Sequence, residues 1–183
     1  MSNYKLTIQY DGTDYAGWQI QENARTVQGM ISDAIKIITL EEVNLIASGR
    51  TDSGVHALGQ VANFRYKKEI DIYRFQHSLN SILPNDISVI NIQKVSESFH
   101  ARFDARERTY LYLISKEKYP FYHKYSLLKK NLDINLINQL STAFLGKKDF
   151  TSLCRKNSEV KDKTCKVNFI KWRETKNFYL FFI

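Results

Sequence analysis

Cysteine is nearly absent from this 183-residue chain, and the two present, Cys154 and Cys165, form no CxxC pair. A disulfide framework is therefore not expected, and two free thiols point to a reducing cytosol. Histidine is also scarce. The four histidines, His56, His77, His100 and His123, are scattered and set no ligand spacing, so a metal-dependent hydrolase is disfavoured. No apolar stretch is long enough to span a bilayer. The opening Met1-Ser2-Asn3-Tyr4 lacks the basic and apolar regions of a signal peptide. The expected location is the cytoplasm, with no membrane partner. Low-complexity tracts and obvious linkers are missing as well.

What is present is basic and apolar. Lys and Arg number 27 against 19 Asp and Glu, giving a net charge of +8 and an isoelectric point near 9.4. Such a balance favours a polyanion, either nucleic acid or an acidic membrane surface. Hydrophobic residues make up 43% of the chain, enough for a sizeable core. Eleven Tyr and eleven Phe add potential stacking surface for bases, although most belong in a core. The length suits one large domain or two small ones.

Periodicity predicts the elements. Tyr4, Leu6, Ile8 and Tyr10 alternate with Lys5, Thr7 and Gln9, a half-buried strand closed by Asp11-Gly12. Thr26 caps a helix carrying Val27, Met30, Ile31, Ala34, Ile35 and Ile38. Strands are predicted over Val43 to Ala47 and Gln60 to Tyr66. Asp71 caps a helix with Ile72, Phe75, Leu79 and Ile82, stopped by Pro84, and Ile87 to Val95 is a further strand. The order β-α-β-β-α-β is the ferredoxin-like arrangement. It ends near residue 97. Residues 98–183 repeat it in part: a strand at Tyr110 to Ile114, a helix from Asp133 to Gly146, and strands over Cys165 to Arg173 and Phe178 to Ile183. The predicted fold is α+β, with halves 1–97 and 98–183, the second lacking its last helix and strand. Phe178, Leu180 and Phe182 alternate with Tyr179, Phe181 and Ile183, so both faces of the final strand are apolar. A shortened chain whose second sheet lacks cover is the expectation.

Between two apolar runs lies Gly49-Arg50-Thr51-Asp52-Ser53-Gly54-Val55-His56-Ala57-Leu58-Gly59. Glycine permits tight turns and close approach of another backbone. Arg50 and Asp52 stand two apart and face one side of an extended segment. A carboxylate on such a loop can act as a nucleophile or as a base, or it can be half of a structural ion pair. Asp52 and His56 have the look of a metal pair, but no second ligand recurs nearby, so a satisfied loop histidine and no metal are expected. Tyr15 and Trp18 are left open between core and cleft. Arg102, Arg106 and Arg108 suit phosphate contacts, or salt bridges to Asp104 and Glu107.

Three stretches taken together carry a resemblance: Tyr10-Asp11-Gly12-Thr13-Asp14-Tyr15-Ala16-Gly17-Trp18-Gln19, Gly49 to Ala57, and Phe99-His100-Ala101-Arg102-Phe103-Asp104-Ala105-Arg106 running through Arg108-Thr109-Tyr110. The chain strongly resembles the tRNA pseudouridine synthase TruA family along essentially its whole length. The resemblance implies isomerisation of uridine to pseudouridine at positions 38 to 40 of the tRNA anticodon stem-loop, without cofactor or metal. It implies Asp52 as the catalytic aspartate, Arg50 as its orienting ion-pair neighbour, and Tyr110 as the aromatic residue over the target base. It also implies a homodimer when the protein is complete. Family chains continue past Ile183 with a helix bearing an active-site arginine. A noncatalytic RNA-binding remnant of the family is the alternative expectation.

Overall fold

The computed structural model describes residues 1–154 and 162–183. The chain is α+β and divides into two compact units, Met1–Arg106 and Glu107–Ile183.

The first unit is built on β1 (Ser2–Tyr10), which buries Tyr4, Leu6, Ile8 and Tyr10, as strict alternation requires. Helix α1 (Val27–Thr39) follows, its Gly29 N–H donating to the Thr26 hydroxyl at 3.3 Å. Its apolar stripe of Val27, Ile31, Ala34 and Ile35 is buried. The chain returns through β2 (Ile46–Ala47) and β3 (Ala57–Tyr66), then α2 (Ile72–Ile82), then β4 (Ile87–Val95). Asp71 caps α2 by accepting from Arg74 N–H at 3.1 Å. The sheet order is β2-β3-β1-β4, with every neighbouring pair antiparallel. Buried residues from both helices and from β1, β3 and β4 form one continuous core.

Two boundaries in this unit differ from expectation. Only Ile46–Ala47 of the predicted 43–47 strand pairs. Strand β3 begins at Ala57, not Gln60, because Ile8 faces Gln60 while Tyr10 faces Ala57. One extra residue is accommodated there as a bulge that contains Gly59.

A buried amide pair extends the unit beyond β4. Asn63 Nδ2 donates to Asn3 Oδ1 at 2.9 Å, and Asn3 Nδ2 donates to the Ser96 and Phe99 carbonyls, each at 2.9 Å. Ala101 N–H donates to Asn63 Oδ1 at 2.8 Å. These bonds tie residues 96–101 to the first sheet, within the unit Met1–Arg106.

The second unit contains β5 (Leu111–Ser115), β6 (Leu127–Leu128), α3 (Ile134–Ser141), β7 (Gly146–Asp149), β8 (Thr164–Val167), β9 (Lys171–Glu174) and β10 (Phe178–Phe182). One sheet has the order β6-β5-β10-β9, and β7 pairs with β8 in a separate ribbon. Asp133 caps α3, accepting from Leu136 N–H at 2.9 Å. The helix stops at Ser141, and one 3₁₀ turn (Thr142–Phe144) replaces its expected continuation. The strand predicted over 165–173 is two strands in different sheets. Lys171 already faces Phe182 at the end of β10, so residues upstream have no partner there, and Thr164–Val167 pairs with β7 instead. Among the described residues of this unit only Ile114, Ser115 and Tyr179 are buried. Residues 155–161 of the expected second half lie outside the described residues.

Candidate active site

The loop between β2 and β3 is held by the loop that follows β1. Trp18 N–H donates to the Thr51 carbonyl at 3.0 Å. Two residues further on, the Tyr15 carbonyl accepts from Gly54 N–H at 3.3 Å and from the Ser53 hydroxyl at 3.1 Å. Asp52 therefore has a hydrogen-bonded backbone anchor on each side. Val55 N–H donates to the Asp52 carbonyl at 3.2 Å, closing a turn with Gly54 at φ 77°.

Close approach of the two backbones depends on Gly12 and Gly17. A Cβ on Gly12 would lie 2.0 Å from the Val55 carbonyl oxygen. One on Gly17, which adopts φ +98°, would lie 2.6 Å from the Thr51 carbonyl oxygen. Neither clash involves a flexible side chain, so only glycine fits.

Side chains complete the grip. Tyr10 and Thr51 share a hydrogen bond of 2.8 Å between hydroxyls, and burial pushes the Tyr10 phenol above its ordinary value, keeping it neutral. His56 Nδ1 accepts from Gly12 N–H at 3.1 Å and lies 2.9 Å from Asp11 Oδ1. Asp11 Oδ1 also takes the backbone and hydroxyl protons of Thr13, at 2.9 and 2.6 Å. His56 is thus a bonded loop histidine. Among the described residues, no group of three or more His, Cys, Asp or Glu side chains is placed to hold a metal ion.

Asp52 itself is exposed, as is Arg50. Among the described residues no ion pair joins them. Both residues lie just before the turn at Ser53-Gly54. Two solvated charges also gain little by pairing in water. Tyr15 and Trp18, undecided from sequence, are core residues, each 2% exposed, with Trp18 packed 6.0 Å from Tyr10.

The other predicted site residues are distributed between the units. Arg102 and Arg106 are exposed in the first. Arg102 lies 5.8 Å over the Phe103 ring, and Asp104 accepts from His100 N–H at 2.8 Å. Arg108 and Tyr110 belong to the second unit. Tyr110 is 50% exposed, with its backbone paired to Ile183 at 2.7 and 3.1 Å, so it is not a packed core side chain.

A family model described as tRNA pseudouridine synthase matches residues 6–104, a span that includes both interlocked loops. The chain belongs to the tRNA pseudouridine synthase family. It is 46% identical over 175 residues to tRNA pseudouridine synthase A of Caldicellulosiruptor saccharolyticus, covering 91% of this chain and 70% of that protein. The enzyme of the same name from Brachyspira hyodysenteriae is 46% identical over 164 residues, 87% of this chain and 66% of that one. That of Bacillus sp. strain KSM-64 is 41% identical over 182 residues, 97% and 75% respectively. The chain thus spans two thirds to three quarters of the length of these synthases. The loop geometry leaves the Asp52 side chain exposed while the backbone around it is fixed. The part sequence reasoning missed is the grip on that backbone. Its only sequence signal is Gly12 and Gly17.

Proposed function

We propose that this chain isomerises uridine to pseudouridine in tRNA, at positions 38 to 40 of the anticodon stem-loop. The observation that carries the reading is Asp52, exposed at a turn whose backbone is fixed on both sides by residues 15–18. The reaction neither adds nor removes atoms. The N–C glycosidic bond breaks, uracil rotates, and a C–C bond forms to the same sugar carbon. Bond breaking leaves positive character on the sugar and negative charge on the base. The Asp52 carboxylate stabilises or traps the former, or removes a sugar proton. Arg50, two residues away and exposed, is the orienting cation that engages once RNA supplies a phosphate or base to organise it. Tyr110 takes the face of a base that has left the stack, a role supported by its exposure. Arg102, Arg106 and Arg108 contact phosphates. The complete protein is a cytoplasmic homodimer that works without cofactor.

The finer fold reading is two ferredoxin-like halves. The order β2-β3-β1-β4 with two helices supports it in the first unit.

Asp52→Asn tests the assignment. Product is measured by mass spectrometry after nuclease digestion, and tRNA binding by titration. Loss of at least about a thousandfold in rate with binding retained is expected, in the range for removal of an essential catalytic group. Near-normal turnover by the variant would refute it. A noncatalytic RNA-binding remnant is the second reading, favoured by the thin packing of the second unit. It predicts tRNA binding by the wild-type chain with no product.

A further inference from the structure

The loop that grips Asp52 is itself anchored by groups remote from the chemistry. The buried Tyr15 hydroxyl donates to Asp86 Oδ1 at 2.6 Å and accepts from Arg25 Nη2 at 2.9 Å. The same Arg25 nitrogen lies 3.5 Å from Asp86 Oδ2, and the guanidinium sits 4.5 Å over the Tyr15 ring. Backbone bonds run in parallel. Asp11 N–H donates to the Asp86 carbonyl at 2.9 Å, and Ala16 N–H donates to the Arg25 carbonyl at 2.9 Å. Burial, and after it the hydrogen bond to Asp86, pushes the Tyr15 phenol far above its ordinary range, so it stays a donor at any working pH.

The residue held in this way also carries the acceptor for the Asp52 turn. The Tyr15 carbonyl oxygen is the acceptor for both Gly54 N–H and the Ser53 hydroxyl, the two groups that follow Asp52. Displacement of Tyr15 therefore displaces the Asp52 turn. We propose that Tyr15, Asp86 and Arg25 are positioning residues that form a remote clamp holding Asp52 in place for reaction. This rests on the reading of Asp52 as the catalytic carboxylate. The three act through the Tyr15 backbone and not on the reacting atoms.

The test compares Tyr15→Phe, Asp86→Asn and the double variant with the wild-type full chain. Amide hydrogen exchange is followed at Gly54, which donates to Tyr15, and at Trp18, which donates to Thr51. Each single variant should raise exchange at both amides about tenfold by local opening, with Leu6 and Phe64 in the central strands unchanged. The double variant should do no more than either single one, because all three groups act as a unit. Single-turnover pseudouridine formation at saturating enzyme should fall about tenfold to a hundredfold with tRNA Kd unchanged, the expected result of a misplaced catalytic group. Asp86→Glu should restore part of the rate. A core variant of matched melting temperature, Val89→Ala, should move neither the loop amides nor the rate well below its Tm, which separates positioning from general stability.

Unchanged exchange at Gly54 and Trp18 in both single variants would overturn the clamp, whatever the turnover. A tRNA Kd that weakens as much as the rate falls would also overturn it. Full activity of Asp52→Asn would overturn the catalytic reading instead, as would a wild-type chain that forms no product; the exchange data then decide the clamp alone. Should Asp86→Asn fail to fold, Tyr15→Phe, which keeps the buried ring, carries the test.

Discussion

The first unit sets two helices of thirteen and eleven residues against its four-stranded sheet, whereas the second, among its described residues, sets one helix of eight against a sheet of the same strand number. Tyr4, Leu6 and Ile8 on the central strand of the first are fully buried. On the second sheet Leu111 and Tyr112 are exposed, and so are Leu136 and Leu140 on the helix beside it. Similar apolar patterning thus gives a dense core in one unit and a thin one in the other. Patterning specifies which face of an element is apolar. The number and length of elements that cover that face decide how much of it leaves water.

This contrast can be broken by measurement. The largest expected effect comes from the core. Leu79→Ala removes a fully buried side chain from α2 and should cost about 2–5 kcal/mol in chemical denaturation. Leu140→Ala on α3, already 59% exposed, should cost no more than about 0.5 kcal/mol. Equal losses would show that the second unit is packed as tightly as the first. Next in size, amides of β5 and β10 should exchange about a hundredfold faster than those of β1 and β3, because the second unit opens without the first. A single exchange free energy for both sheets would remove the distinction.

Glycine substitutions sharpen the comparison. Gly12→Ala drives a Cβ into the Val55 backbone and should cost about 1–3 kcal/mol while loosening the Asp52 turn. Gly146→Ala, in the second unit, meets nothing within 4 Å and carries only the strain of its φ of +87°, about 1 kcal/mol. Thermal melts of both variants check this. The smallest effect concerns charge. If both units contact RNA backbone, Arg102→Ala and Arg108→Ala should each flatten the plot of log affinity against log salt by about 0.7–0.9. A slope changed by only one of them would confine phosphate contact to one unit.

Legibility from sequence follows the same division. In the first unit, the alternation of β1, the capped periodic helices and the Pro84 stop all placed elements correctly, because one continuous core enforces those periods. Strand β3 starts three residues before its predicted start because Gly59 sits in a bulge, where alternation lapses. In the second unit, the Asp133 cap was legible, but the end of α3 was not, since Leu140 and Phe144 keep the helical period with no dense core to enforce it. Strand β7 escaped notice because Lys147 and Lys148 are exposed, leaving no apolar signal, and β6 is two residues long. At the candidate site, the glycine-flanked loop that carries Asp52 is legible from residue type and spacing. The absence of an ion pair between Arg50 and Asp52 among the described residues is not legible from spacing, because two exposed charges gain little by pairing in water. Backbone bonds such as Trp18 to Thr51 carry no side-chain signature at all.

The grip between the two loops also constrains the order in which the chain can fold. Tyr10 and Thr51 are 41 residues apart, and Gly12 and His56 are 44 apart. Closing a ring of that length in a flexible chain costs on the order of 3 kcal/mol of entropy before any of these bonds forms. The bonds are few and individually weak, so they cannot nucleate that closure. Pairing of β1 with β3 brings the ends together, and the loops lock afterwards. The Asp52 turn is therefore acquired on the native side of the folding barrier. Variants that loosen it should hasten unfolding and leave the folding rate almost untouched. A newly made chain would have its first sheet before the Asp52 turn had its fixed geometry.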